Sequence, residues 1–448
     1  MTLSVSSFLN VWSPLSEVVS QPPPWSARIA ERYQCTLAPD LADWFDREIW
    51  KRQGTGEFRV PISPAALLSD AAEEIWPGLM PCDLLPILAD DDGNWVCVRA
   101  DPNNQLSEMV QWFHGGGDWM PWGKRLADTI VFEAVLERLP GPRRRLAVPA
   151  ENPKQGFDPL NDPFVHWAFE HQSNSIRELL TEQTSAEESA EILLGENIAA
   201  EAVRCELVQD AMHQPWSNRI DSKIASKLGL AWNDCVSWMF DGARIPADAW
   251  RRLKDELNVS DHDRGHQDWS AVETHCRAVI EHTSDTTRQL AWAWDLLGYA
   301  LERRDDRAGA IRAYQRGASA SSFTDQAVRM NSHWMQSVAV KFSVARLQKL
   351  APELVQASTY LSSLLACDTQ SCRHRVVEYW IDQADGAKDP RKSYEQLMHA
   401  GWDVGVDSFH RYATLLDRIA ITAEASGQHA RAMLAKTHRC CLQNRYGI

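Results

Sequence analysis

Hydrophobic positions follow two different periods along the chain, and the change falls near residue 140. Between residues 41 and 139, helical stripes over Leu41–Lys51 and Ala127–Leu139 enclose short apolar runs of the kind that form strands. The sequence Asp90-Asp91-Asp92-Gly93-Asn94 separates two of these runs, and Asp-Gly there predicts a hairpin. The predicted strands are Phe58–Ile62, Leu84–Ala89, Trp95–Arg99 and Met109–His114.

After Pro163 the pattern is helical to the end of the chain, with short turns and no strand alternation. The fold class predicted is therefore an α+β N-terminal domain followed by an all-α helical-repeat region. The expected organisation is an N-terminal extension (1–40), an α+β domain (41–139), a proline-rich linker (140–164), a helical region (165–258) and a helical array (259–448).

The clearest spacing in the helical half lies at Trp294-x-x-Leu297-Gly298, followed by Leu301, Ala310, Tyr314 and Gly317. It resembles the tetratricopeptide repeat, with small residues where two helices cross and aromatic residues filling the seam. Arg304-Asp305-Asp306-Arg307 is the expected turn between them. Since one such repeat is not stable alone, residues 259–448 are predicted to be a degenerate array; an irregular helical bundle is the alternative.

The α+β domain resembles the SUKH superfamily, which includes the Smi/Knr cell-wall assembly regulators. The resemblance rests on runs of residues that continue into the helix beginning near Leu126: Met80-Pro81-x3-Leu85-Pro86-Ile87-Leu88-Ala89-Asp90, Asp92-Gly93-Asn94-Trp95-Val96-Cys97 and Glu108-Met109-Val110-Gln111-Trp112-Phe113-His114. It implies a binding domain, used in bacteria as an immunity protein against a toxin, and it implies no catalytic residues.

Residues 221–256 carry a competing pattern. Ile224–Leu230 followed by Val236-Ser237-Trp238 resembles a repressor-type helix-turn-helix, in which Gly229 makes the turn. Trp232, Asn233, Asp234 and Ser237 would then face DNA. The turn is one residue longer than usual, and a further helix pair of the array is the alternative.

Composition narrows the class of protein. The chain has 448 residues, of which 44% are hydrophobic and 24% charged, and its longest apolar run is too short to span a membrane. The first residues lack the basic start of a secretory signal, and the ten cysteines form no C-x-x-C pair. A cytoplasmic protein with reduced thiols is expected.

Charge favours a basic protein partner for the N-terminal half. Residues 1–139 carry 10 basic and 20 acidic side chains, whereas the whole chain has a net charge of −15. Glycines 115, 116, 117 and 123 predict a mobile loop between tryptophans. The predicted partner-binding residues are Asp90, Asp91, Asp92, Trp112, Trp119 and Trp122, with aromatic anchors for affinity and acids for steering. The alternative places these tryptophans in the core.

No enzyme motif is complete in the sequence. His114-Gly115-Gly116-Gly117 lacks a nucleophile elbow, and Gly117–Lys124 has the wrong length for a phosphate loop. We therefore predict no catalytic residue, metal or cofactor. The expected function is non-enzymatic protein–protein recognition, as an immunity-like protein or regulatory scaffold. The alternative is a DNA-binding transcriptional regulator that uses residues 221–256.

Overall fold

The structure is a computed structural model, and it describes residues 22–141, 158–181, 184–283, 288–332, 341–365 and 369–448. The predicted N-terminal extension and proline-rich linker thus lie largely outside the described residues. The layout within them is an N-terminal mixed sheet with helices, followed by a helical region, as the sequence predicts.

The N-terminal half is built on a six-stranded sheet in the order β1-β5-β4-β3-β2, with β6 also paired to β5. Every pairing is antiparallel except β1 with β5. The strands are β1 Thr36–Leu37, β2 Val60–Pro61, β3 Leu84–Ala89, β4 Trp95–Ala100, β5 Gln105–Trp112 and β6 Trp119–Gly123.

Strands β2 to β5 overlap the four predicted strands, although β5 begins four residues before the predicted Met109, and the Asp90–Asn94 turn joins β3 to β4. The strand predicted over Phe58–Ile62 is only two residues long, because Pro61 has no N–H to extend the ladder. Since β1 belongs to the sheet, the α+β half begins before residue 41.

Four helices belong to the N-terminal half. Three apolar side chains on β4 and β5, those of Val96, Val98 and Met109, share a core with Trp44 and Phe132 from two of these helices. This packing buries one face of the sheet. The helices are α1 Trp25–Tyr33, α2 Pro39–Asp46, α3 Pro64–Leu67 and α4 Leu126–Val135.

Seven short helices follow and lead into the helices of residues 259–448, which we call the array. Those up to α8 extend the core of the first sheet face, whereas Trp216, Cys235 and Trp250 form a separate small core with their neighbours. The helices are α5 Pro163–Glu170, α6 Asn174–Thr181, α7 Ala186–Gly195, α8 Ala200–Ala211, α9 Ser222–Lys227, α10 Trp232–Phe240 and α11 Ala247–Leu257.

In the last third of the chain the long helices pack against their neighbours in sequence. An isolated bridge between Leu290 and Ser321 is the β-structure found in the described part of this region. The helices are α12 Trp269–His282, α13 Ala291–Arg303, α14 Arg307–Ser319, α15 Gln326–Asn331, α16 Phe342–Leu350, α17 Pro352–Ala357, α18 Thr359–Leu364, α19 Gln370–Gly386, α20 Pro390–Trp402, α21 Phe409–Ala425 and α22 His429–Tyr446.

The helix pair α13–α14 has the seam that its spacing predicts. Tyr314 is fully buried, and a Cβ built on Gly298 would lie 2.5 Å from the Tyr314 ring. The carboxylate of Asp306 caps α14 by accepting from the Gly309 N–H at 2.8 Å. The seam is therefore closed by glycine opposite an aromatic ring, as the sequence predicts.

The helical array covers the second face of the sheet. Cys82, Leu84, Cys97, Val110 and Trp112 share a core with residues of α12 to α22. Because helices bury both faces, the sheet and the array form one packed body. Among the described residues, no helix is long and apolar enough to cross a membrane.

Candidate protein-interaction surface

The three predicted aromatic anchors lie in the core. Trp112 is fully buried, and Trp119 and Trp122 are each 4% exposed. The guanidinium of Arg99 lies over the Trp119 ring at 4.3 Å, and the Trp122 ring packs edge-on against Phe132 at 4.9 Å. The expectation of aromatic side chains offered to a partner is therefore corrected at these positions: they hold the sheet between its two helical layers.

The glycine-rich segment between them, for which the sequence predicts a mobile loop, forms a hydrogen-bonded turn. It connects β5 to β6, and the Phe113 N–H donates to the Asp118 carbonyl at 2.8 Å. The Gly117 N–H donates to the Phe113 carbonyl at 2.9 Å, and Gly117 has a φ of 76°, which a side chain would strain. These two backbone hydrogen bonds, which share Phe113, hold the segment that follows Trp112.

The three predicted acids share the β3–β4 turn, but they do different things. The Asp90 carboxylate accepts from the backbone N–H groups of Asp92 at 2.9 Å and Asn94 at 2.8 Å, so it holds the turn together. Asp91 forms an ion pair with Arg59. Asp91 and Asp92 are exposed. We call Asp91 and Asp92 the acidic tip.

An exposed aromatic and aliphatic surface lies beside this tip, formed by side chains that the sequence did not single out. Leu79 is 40% exposed, Phe409 44% and Tyr446 41%, whereas Trp76, His114 and Phe323 are half-buried. A contiguous exposed apolar patch of this kind marks interaction sites in soluble proteins. We call it the aromatic surface; its residues are Trp76, Leu79, His114, Phe323, Phe409 and Tyr446.

Ring contacts join two pairs of residues of the aromatic surface. The Phe409 and Tyr446 rings are stacked with centroids 4.5 Å apart, and the Trp76 and His114 rings lie edge-on at the same distance. A Cβ built on Gly78 would lie 3.3 Å from the Phe409 ring, so Phe409 packs directly over the backbone before Leu79.

Gly117 is buried against two residues of the aromatic surface, Leu79 and Phe323. A Cβ built there would lie 3.3 Å from the Leu79 Cβ and 3.5 Å from the Phe323 ring. The absence of a side chain thus lets the sheet turn, the segment before β3 and the array meet closely. The indole N–H of Trp402 donates to the Leu79 carbonyl at 3.1 Å, which ties the same segment to α20.

The acidic tip adjoins the aromatic surface through His114. The His114 N–H donates to the Asn94 side-chain oxygen at 3.0 Å, and Gly93 lies within van der Waals distance of the His114 ring. Arg445 lies over the Trp76 ring at 4.8 Å and donates to the carbonyl oxygen of exposed Glu73 at 2.6 Å. The arrangement offers apolar contact area with charged side chains at its rim, the acids Asp91, Asp92 and Glu73 and the bases Arg59 and Arg445.

Residues 221–256 form a helix pair, α9 and α10, joined by a turn at Gly229. Of the side chains predicted to face DNA, Trp232, Asn233 and Asp234 are exposed, and Ser237 is buried. Lys227 forms an ion pair with Glu256 at 2.7 Å, which reduces its availability for a phosphate. DNA binding by this pair stays a prediction.

Within the described residues, His, Cys, Asp and Glu form no group of three arranged to hold a metal ion. Comparisons with protein-family models, with curated proteins and with solved structures find no match for this chain.

Sequence reasoning missed the aromatic surface for a physical reason. Leu79, Phe323, Phe409 and Tyr446 come from segments far apart in the chain, and each belongs to an apolar pattern that packing alone would explain. Only the fold brings them together.

Proposed function

We propose that the protein is a non-enzymatic recognition protein that binds a basic segment of a partner protein on the aromatic surface. The observation that carries the proposal is the close grouping of three exposed apolar side chains: Phe409 stacks on Tyr446 and packs over the backbone before Leu79. Large side chains that are held in place by packing lose little freedom on binding, so they make effective anchors.

Charge favours a basic partner over a second copy of this chain. The acidic tip and Glu73 flank the surface, and the whole chain has a net charge of −15. Two copies of a chain with this net charge would repel each other, whereas a segment with Lys or Arg beside apolar side chains would be attracted. The role proposed is that of an immunity-like protein, as the SUKH resemblance implies, or of a regulatory scaffold.

Selection from a displayed library of random peptides against the full chain tests this proposal. We expect the enriched peptides to combine Lys or Arg with aliphatic or aromatic residues. Their affinity should fall about tenfold or more for Phe409→Ala or Leu79→Ala, the loss typical of an interface anchor. Ile421→Ala is the matched control, because Ile421 is 69% exposed on α21 but outside the aromatic surface.

Peptides that bind Phe409→Ala and Leu79→Ala as well as the unmodified chain would overturn the proposal. So would an enriched set without basic residues. Weaker binding by Ile421→Ala to the same extent would show that the peptides respond to a general change in the array and not to this surface.

A further inference from the structure

A buried group of acids lies beneath the aromatic surface, where the sheet meets the array. Asp118 follows Gly117 in the β5–β6 turn, and Asp325 follows Phe323 by two residues. Arg329 joins them: its guanidinium donates to the Asp118 carboxylate at 2.7 Å and pairs with Asp325 on its own helix, α15. This contact links the sheet half to the helical half directly under two residues of the aromatic surface.

More acids than bases face this contact. Asp295 on α13 is 1% exposed and accepts from the Ser343 hydroxyl, and Asp325 is fully buried. Lys341 pairs with Asp403 and donates to the carbonyls of Ala318 and Ala320 at 2.7 and 2.6 Å. Among the described residues the group therefore contains four carboxylates and two cations: Asp118, Asp295, Asp325 and Asp403, with Arg329 and Lys341.

The carboxylate of Asp403 has more hydrogen-bond and ion-pair partners than the other three carboxylates of the group. Asp403 also accepts from the Tyr360 hydroxyl at 2.7 Å and the Trp380 indole N–H at 2.6 Å, so its charge is well compensated. Asp118 and Asp325 share the single guanidinium of Arg329, and Asp295 accepts from a neutral hydroxyl. Ionising all three at these buried positions would leave net negative charge, which is costly.

Burial raises the pKa values of these carboxyl groups and so favours their protonated forms. Desolvation raises the pKa of Asp295 to about 7 despite its bond with Ser343 and the nearby charges of Lys341 and Arg329. Desolvation also raises the pKa of Asp325, and that of Asp118, although Arg329 opposes both shifts.

We propose that Asp118, Asp295, Asp325 and Arg329 form a proton-dependent latch between the sheet and the array. When a carboxyl of the group keeps its proton, the latch is closed and the aromatic surface is assembled. When all are ionised, mutual repulsion loosens the contact between the Asp118 turn and α13 and α15. The latch itself stands on these contacts; its meaning as regulation of partner binding rests on the proposed function.

Thiol labelling of the full chain with N-ethylmaleimide tests the latch without any partner. Cys82 is 1% exposed and its sulfur lies 3.6 Å from that of Met398, at the interface between sheet and array, whereas Cys440 is exposed. The ratio of Cys82 to Cys440 labelling measures opening, because both react as exposed thiolates and their common pH dependence cancels.

With the pKa of Asp295 shifted from 3.8 to about 7, this ratio should rise about thirtyfold between pH 5.5 and pH 8. In Asp295→Asn, which cannot ionise, the rise should be threefold or less. Asp295→Ser, which also cannot ionise, provides a second variant should Asp295→Asn not fold, and it should flatten the rise too. Asp92→Asn, which alters only the exposed tip, should keep the full rise.

A ratio that stays constant with pH in the unmodified chain would overturn the latch. An equal rise at Cys235, which lies in the separate small core, would also overturn it, because it would indicate global unfolding. A full thirtyfold rise in both Asp295 variants would do the same. Failure here leaves the peptide-binding proposal intact, and failure of the peptide selection leaves the latch intact.

Discussion

At Gly298 the space between α13 and α14 admits only a hydrogen atom. A Cβ there would lie 2.5 Å from the Tyr314 ring, which is buried and cannot move aside. We expect Gly298→Val to lower the free energy of unfolding by about 1–3 kcal/mol through overpacking. Denaturant unfolding measures the change. Gly386→Ala, with no neighbour within 4 Å, is the matched control and should cost nothing; equal losses in both would refute the close crossing.

His438 on α22 is a buried histidine that disfavours its charged form. It is fully buried, with Nε2 3.4 Å from the Leu84 carbonyl oxygen of β3, and burial lowers its pKa to about 4. The unfolded chain therefore binds the proton more tightly than the folded chain does. The contribution of neutral His438 to the free energy of unfolding is fully present above pH 6.5 and is lost as the pH falls towards 4. The loss of stability amounts to about 3 kcal/mol.

The pH dependence of unfolding isolates this residue when variants are compared. His438→Gln should lose less stability than the unmodified chain between pH 6.5 and pH 4. His410→Gln is the control, because His410 is exposed on α21 and should leave the curve unchanged. Parallel curves for His438→Gln and the unmodified chain would contradict a neutral buried imidazole.

Strand β6 shows how packing decides the role of a tryptophan. Because Trp119 lies between the sheet and the array and under Arg99, Trp119→Ala should lower the free energy of unfolding by about 3–5 kcal/mol. The sequence instead suggests a binding role with little effect on folding. Thermal and denaturant unfolding decide between them, and a loss below about 1 kcal/mol would contradict the core placement.

The two hairpins differ in how far the sequence predicts them. Strands β3 and β4 are largely apolar runs on either side of an Asp-Gly turn, so both strands and turn are predicted. Strand β6 contains Pro121 and follows three glycines, which favours a loop from composition alone. Its pairing with β5 is a tertiary effect, and no local pattern could have revealed it.

The acidic tip should govern how fast a basic peptide binds. With a peptide from the selection described above, Asp91→Asn combined with Asp92→Asn should slow association, and less so at high salt. Glu188→Gln combined with Glu191→Gln on α7 is the matched control, because both are exposed far from the aromatic surface in sequence. Stopped-flow rates that fall equally for both pairs would indicate steering by net charge alone. Asp90 is excluded from the test because it holds the turn.

At the scale of the whole molecule, the two halves share one hydrophobic core. The sheet buries Cys97, Val110 and Trp112 against the array, so residues 22–141 alone would expose this face. We expect that fragment to aggregate or bind a hydrophobic dye, whereas the full chain does not. A monomeric, two-state fragment would contradict the shared core. The layout of an α+β half and a helical half could be predicted from periodicity, but their mutual packing, and with it the aromatic surface, could not.

Hydrogen exchange of the full chain with and without a selected basic peptide locates the surface that the peptide covers. We expect slower exchange in the segments around Leu79, Gly117 and Phe409, which come from both halves and meet at the aromatic surface. Helices α9 and α10 should exchange unchanged. Protection confined to α9 and α10, or to the sheet half alone, would contradict a binding surface built jointly by the sheet and the array.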